Sequence, residues 1–312
     1  MGLAFLYLGS WPFSFMRPEL SEAAELLKRN TPEAVEQAMA LLQRTVYSFS
    51  MKVCGHPEDA EDTMQEVLYR AMPHLARIVE PRALAVWLYT VTRNRCWRMR
   101  RKPAGAPEKT LSLDELMPDD AELGRMLVDA AVNPEAEAVR SEGQELLMRA
   151  VQEIPLNLRL VLVLHDMEDL TTEEVAQVLE LKPGTVRVRL HRARLATRKA
   201  VQELTDRATG QAAKGAKQSG GTKKRPAACR ELFAELSEYL DGNVEPKNCE
   251  EMRAHIESCP ACVAFLRELR GTIDRCRAAD VACDEKVIAR LQSALTREYL
   301  RLVGAPNESA AV

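Results

Sequence analysis

Aromatic residues make up only 5% of this 312-residue chain, histidines number 5, and the formal net charge is −3 at pH 7. Leu, Ala, Glu and Arg dominate instead, a usage that favours helices, and no stretch alternates in the manner of a strand. Near-neutrality excludes a uniformly basic nucleic-acid coat, so a nucleic-acid binder of this balance must segregate its charge into local patches. Eight cysteines are too sparse at this length for a disulfide scaffold. Four of them crowd between Cys229 and Cys262, which marks a local site in a reducing compartment. No nucleophile–base constellation and no phosphate-binding glycine loop is present, so the chain does not read as an enzyme.

Long apolar runs are missing as well. The segment GLAFLYLGSWPFSFM after Met1 is apolar but lacks a basic n-region and a small-residue cleavage site, and it is too short to span a bilayer. It reads as a disordered or wrongly started leader, with Met16 the sensible start. The expectation is a cytoplasmic protein with no membrane partner.

A hydrophobic content of 46% is enough to bury cores, and the length suits two or three domains. Helical periodicity runs from about residue 20 to 101, interrupted at Gly55-His56-Pro57 and at Pro81. Between 103 and 140, nine acids face three bases amid prolines, the composition of an acidic linker. Helices resume over 141–205, and residues 206–228 form a basic tether rich in Gly, Ala, Lys and Ser. The expected architecture is all-α. A leader (1–19) precedes a helical domain (20–102), the linker (103–140), a second helical domain (141–205) and the tether. A small third domain (229–303) and a disordered tail (304–312) follow.

The segment DLTTEEVAQVLELKPGTVRVRLHRARLATRKAV, beginning at Asp169, predicts a helix-turn-helix. Thr171 and Glu174 make a T-x-x-E capping box. Lys182-Pro183-Gly184 breaks the chain before a second helix that begins near Thr185. At 100° per residue, Val186, Leu190, Ala193, Thr197, Ala200 and Val201 share one arc, while Arg187, His191, Arg192, Arg198 and Lys199 share another. An apolar face to pack and a basic face to present is what a helix in a major groove needs.

In the first domain, Met64, Val67, Leu68, Ala71 and Leu75 line up toward a core, with Asp62, Gln65, Glu66 and Tyr69 outside. The next helix buries Leu84, Trp87, Leu88 and Val91. It ends in Arg93, Arg95, Arg98, Arg100, Arg101 and Lys102, interleaved with Asn94 and Trp97. Cations suit any helix C-terminus, but six exceed what capping needs and resemble a backbone-tracking groove.

In HIESCPAC, His255 and Cys259 fall on one helix face, and the C-x-x-C knuckle turns Cys262 to the same point. Zn²⁺ takes four such ligands in a tetrahedron. Candidates for the fourth are Cys229 and Cys249. Cys249 lies about 240° round a helix from His255 and points away if that helix starts early, which favours Cys229. A thiol–disulfide C-x-x-C belongs with a βαβ pattern, and none is here.

Together these segments resemble the sigma-70 family of bacterial transcription initiation factors, specifically its extracytoplasmic-function (ECF) group. The carrying residues are DAEDTMQEVLYRA (59–71), AVWLYTVTRNRCWRMRRK (85–102) and IPLNLRLVLVLHDMEDLTTEEVAQVLELKPGTVRVRLHRAR (154–194). The resemblance implies that Asp62, Gln65 and Glu66 dock on core RNA polymerase. It implies that Arg93, Asn94, Arg98, Arg100 and Arg101 meet the minus-ten element of promoter DNA. Thr185, Arg187, Arg189, His191 and Arg192 correspond to the readers of the minus-thirty-five element. Two residues depart from the family pattern: Glu180 and Asp169 stand where glycine is common, and a turn that needs φ > 0 at Glu180 would cost about 1 kcal/mol.

The block CRELFAELSEYLDGNVEPKNCEEMRAHIESCPAC resembles the zinc-binding anti-sigma domain, whose H-x-x-x-C-x-x-C and one upstream ligand correspond to His255, Cys259, Cys262 and Cys229. The implied cofactor is Zn²⁺. A tether of about 23 residues reaches roughly 25–30 Å, which lets this domain regulate the sigma domains in cis; a separate anti-sigma factor is the other candidate partner. Two further readings remain. One is a helix-turn-helix regulator that never binds core polymerase, and the other is a zinc- or thiol-sensing protein-binding module.

Overall fold

The computed structural model describes residues 17–75, 77, 80–100, 111–118, 122, 140–208, 236, 238–242 and 246–304. The leader, most of the linker, the tether after residue 208, Cys229, Arg101 and the tail lie outside the described residues. All described elements are helical, in line with the all-α expectation. They are α1 (Pro18–Arg29), α2 (Pro32–Cys54), α3 (Pro57–Leu75), α4 (Pro81–Arg100), α5 (Leu113–Leu116), α6 (Arg140–Glu153) and α7 (Leu156–Leu162). A π-helical turn (Val163–Met167) follows, then α8 (Thr172–Leu179), α9 (Pro183–Ala208), α10 (Pro246–Ser258), α11 (Pro260–Ala278) and α12 (Glu285–Gly304).

Proline opens α1 to α4 and α9 to α11. Its fixed φ suits the first helical turn, where its missing N–H would have no partner anyway. Thr31 caps α2 by accepting a hydrogen bond from the Ala34 amide at 3.3 Å. Gly55 ends α2 in the left-handed region at φ 78°, which explains the break read there. No described helix is long and apolar enough to cross a membrane.

The chain divides into two compact units. The first comprises residues 15–108, 163–183 and 279–312, hence α1–α4, the π-helical turn, α8 and α12. Its axis is α2, whose Val35, Ala38, Met39, Leu42, Val46, Phe49 and Val53 are buried at helical spacing. α1, α3, α4 and α12 pack around it. Met64, Val67, Leu68, Ala71 and Leu75 of α3 are all buried, as their periodicity indicates. In α4, Leu84 and Leu88 are buried, but Trp87 and Val91 are half-buried. The Trp87 ring lies 5.2 Å from that of His74 and lines an open cleft of about 550 Å³ between α4 and α8. α12 is tied to this unit by three polar contacts. Arg44 meets Glu285 at 2.9 Å, Arg290 meets Glu61 at 3.1 Å, and Gln292 donates to the Glu36 carbonyl at 3.1 Å.

An ionic cluster lies within the first unit. The Glu168 carboxylate accepts from Lys52 Nζ at 2.8 Å and from the Tyr89 hydroxyl at 2.6 Å, and it pairs with Arg17 Nε at 3.0 Å. The side chains of Lys52 and Glu168 are both 0% exposed. The π-helical turn delivers Glu168 there: its amide bonds to the Val163 carbonyl five residues back, and Asp169 follows at φ 61°. Burial, and next the Glu168 charge, push the Tyr89 hydroxyl well above its usual pKa, so it stays a donor.

The described residues of the second unit lie within 109–162 and 184–278. Its described helices are α5, α6, α7, α9 from Gly184, α10 and α11. The arc Val186, Leu190, Ala193, Thr197, Ala200 and Val201 of α9 is buried throughout.

Candidate functional site

His255 closes the last turn but one of α10, and Cys259 and Cys262 flank Pro260, which starts α11. The helix break at Ser258-Cys259 lets one imidazole and two thiols converge. One ligand atom from each of the three lies within 4.8 Å of the others, and His255 Nε2 is 3.4 Å from Cys262 Sγ. Metal–ligand bonds of about 2.0–2.3 Å in a tetrahedron put ligand atoms nearly 4 Å apart, so this donor set fits Zn²⁺. Cys249 lies on α10, six residues before His255, and does not join the cluster. Cys229 is outside the described residues.

The helix-turn-helix segment begins as its sequence indicates. Thr171 Oγ1 accepts from the Glu174 amide at 3.2 Å, and Glu174 accepts from the Thr171 amide at 2.8 Å, a complete capping box. The end of α8 is a Schellman motif: the Leu181 amide bonds to the Ala176 carbonyl at 2.9 Å and the Glu180 amide to Gln177 at 3.3 Å. Glu180 occupies the left-handed position at φ 57°, so this departure from glycine does fall where a side chain is strained.

The basic face of α9 splits in two. Thr185 and Arg187 are exposed, and Arg189 and Arg192 are half-buried. Further along, the cations are occupied. Arg194, with a 0% exposed side chain, makes a two-pronged pair with Asp241, both bonds at 2.8 Å. Arg198, read from the wheel as part of the presented face, is 1% exposed. It donates to Glu268 at 3.3 Å, approaches Glu122 at 3.9 Å and stacks 5.4 Å over the Phe265 ring. Lys199 donates to the Glu115 carbonyl at 2.6 Å. Burial raises the Glu268 pKa, and the Arg198 charge opposes that rise.

His191 is buried, and burial, with Arg194 and Arg192 adding to it, lowers its pKa to about 4. It is therefore neutral at pH 7 and supplies no charge to a phosphate in this arrangement. An unfolded histidine titrates near 6.5, so between about pH 6.5 and 4 the unfolded chain holds a proton that the folded chain lacks. Stability is present above this window and falls as pH drops through it, by about 2 kcal/mol at pH 5. Thermal melts at pH 7 and pH 5 check this: His191→Gln should shrink the difference between the two midpoints.

In the first unit, Asp62 and Gln65 stand exposed on α3 beside Tyr69, and Glu66 is half-buried with Arg70 at 2.8 Å and Arg95 at 2.7 Å. On α4, Asn94 and Arg98 are exposed, with Arg98 Nε donating to the Asn94 carbonyl at 3.2 Å. Arg100 is the last residue of α4. Arg93 is turned inward: its side chain is 14% exposed and bonds to Glu180 and the Val178 carbonyl. Sequence reasoning did not find Glu168, Asp241, Glu268 or the attachment of α12. Each acts across a long sequence separation that no local pattern signals.

The family model "Sigma-70 region 2" matches residues 39–105, "Sigma-70, region 4" matches 144–196, and "Putative zinc-finger" matches 229–262. The chain is 25% identical over 190 residues to the ECF RNA polymerase sigma factor SigW of Bacillus subtilis, covering 61% of this chain and 100% of that protein. It is 26% identical over 189 residues to the RNA polymerase sigma-H factor of Pseudomonas aeruginosa, covering 59% and 94%. With the ECF RNA polymerase sigma-E factor of Escherichia coli K12 it shares 28% over 149 residues, covering 48% and 77%. An all-helical chain with regions 2 and 4 in this order defines a transcription initiation factor. It belongs to the ECF group of the sigma-70 family, with a zinc-finger-type anti-sigma-like segment fused behind region 4.

Proposed function

We propose that this sigma factor is held in check by its own C-terminal segment. Asp62, Gln65 and Glu66 dock on core RNA polymerase, and Arg93, Asn94, Arg98, Arg100 and Arg101 follow the minus-ten strand as it melts. Thr185, Arg187, Arg189 and Arg192 read the minus-thirty-five duplex, joined by His191 when its ring is uncovered. Cys229, His255, Cys259 and Cys262 hold Zn²⁺, which fixes the α10–α11 junction. The protein works in the cytoplasm and supplies no chemistry of its own; polymerase does that.

The observation that carries the regulatory reading is the pairing of α9 with acids from the C-terminal segment. Arg194 and Arg198 would otherwise add charge beside a DNA backbone, and Asp241 and Glu268 neutralise them. A second helix of the same segment, α12, covers α2 and α3 next to the exposed acidic face.

Transcription reconstituted with core polymerase tests both halves. Chain ending at residue 208 should outperform the full-length protein by about tenfold, the equivalent of about 1.4 kcal/mol of cis occupancy. Equal output would remove the regulatory reading. Arg187→Ala with Arg192→Ala should lower promoter-specific initiation by a factor of about 30 or more in either background, since each of the two contacts is worth about 1–3 kcal/mol. Co-purification of the truncated chain with core polymerase separates a sigma factor from a repressor that never touches it.

A further inference from the structure

Glu180 carries two local penalties. It is a non-glycine residue in the left-handed region, at φ 57° and ψ 43°, and it is an acid at the negative end of the α8 dipole. Its carboxylate is matched by one cation: Arg93 Nη2 lies 2.9 Å from Glu180 Oε1. The same Nη2 donates to the Val178 carbonyl at 2.5 Å. The last turn of α8 thus offers Arg93 a carbonyl and a carboxylate together. At the other end of α8, Arg82 of α4 meets Glu174 at 3.6 Å. The two pairs fasten α8 along α4, all within the first unit.

The guanidinium is nevertheless incompletely satisfied. Arg93 Nε is buried and has no hydrogen-bond partner. A guanidinium fork gains most from an anion that accepts at two of its nitrogens, as a phosphate does. Glu180 and a phosphate therefore compete for the same group, and the competitor in place leaves one donor idle.

We propose that α8 is a gate on the basic end of α4, with Glu180–Arg93 as its latch, and that a nucleic-acid phosphate takes Arg93 only once Glu180 has released it. This rests on Arg93 being a DNA-contacting residue, as set out above. Glu180 is then a positioning residue that touches no DNA.

The test is fluorescence anisotropy of a labelled single-stranded oligonucleotide titrated with the full-length chain at several salt concentrations. Glu180→Gln keeps the side chain and its strain but removes the charge, whereas Glu180→Gly removes both. Glu180 is 76% exposed, so neither change threatens the core. Each should tighten binding by about three- to tenfold. Each should also steepen the slope of log K against log salt by about 0.7, one added phosphate contact. Arg93→Ala in either background should cancel both gains. A gain with Glu180→Gly alone would reduce the effect to relief of strain and overturn the gate. No gain from either variant, with Arg93→Ala weakening binding in every background, would overturn the gate while leaving Arg93 as a DNA contact. An Arg93→Ala change without effect in any background would instead overturn the DNA reading, and the gate with it.

Discussion

Glu168→Gln is expected to lower the thermal midpoint of the first unit by about 10 °C. Lys52 and Glu168 are both fully buried, and Glu168 is the anion that meets Lys52 Nζ, Tyr89 and Arg17. Neutralising it removes the carboxylate charge that faces a fully buried ammonium group. Removing one partner of a buried pair costs about 3–5 kcal/mol, which for a unit of this size is several degrees per two kcal/mol. Glu168→Leu combined with Lys52→Met removes both charges and should recover most of the loss, because the pair itself is worth little against a well-packed apolar replacement. Thermal melts of Glu168→Leu, Lys52→Met and the double variant measure the coupling directly. Additive losses would show that Lys52 and Glu168 do not act as a pair. Glu168 falls in the region 4 match, and Lys52 and Tyr89 fall in the region 2 match, so the same cycle measures how firmly residues 163–183 are held in the first unit.

What the sequence made legible was local. The capping box at Thr171 and Glu174, the break at Gly55, the buried arc of α9 and the convergence of His255, Cys259 and Cys262 each depend on residues within a few turns of one another. The periods of 3.6 and the stop signals carry that information without a tertiary structure. The left-handed geometry at Glu180 was legible too, but only as a departure from glycine; that its carboxylate answers Arg93, 87 residues earlier, was not. The same limit explains Arg198. A helical wheel assigns it to a basic face, which is correct for direction but silent about what covers that face. Its partner Glu268 lies 70 residues away, and the partner of Arg194 lies 47 away. Glu168 was hidden for a second reason. The π-helical turn adds a residue to the helical repeat, so a wheel drawn at 100° per residue loses phase before it reaches Glu168. The block from 229 to 303 read as one helical domain, and its last helix, α12, clusters with α2 and α3. The surface that it covers was not visible in the sequence.

Cys259→Ser and Cys262→Ser should each abolish stoichiometric zinc and unseat the C-terminal segment from α9. The three donors sit at the joint between two helices, with His255 on α10 and Cys262 in the first turn of α11. A structural zinc site of this kind contributes on the order of 10 kcal/mol to folding, more than a small helical pair gains from its own core. Loss of the metal therefore frees α11 from α10. Phe265 and Glu268 lie one and two turns beyond Cys262 on the same helix, so the group that stacks on Arg198 and the acid that pairs with it depart together. Arg198, 1% exposed in the intact protein, then keeps only the longer 3.9 Å approach to Glu122 and turns toward solvent. Elemental analysis of the wild type should give about one zinc per chain, and each variant should give nearly none. Amide hydrogen exchange should rise across α10 and α11. In reconstituted transcription, both serine variants should move from the full-length output toward that of the chain ending at residue 208, since the metal acts only through what it holds in place. A zinc-free variant whose α11 amides stay protected would show that the helix pair stands without metal, and the coupling from metal to promoter access would fail with it.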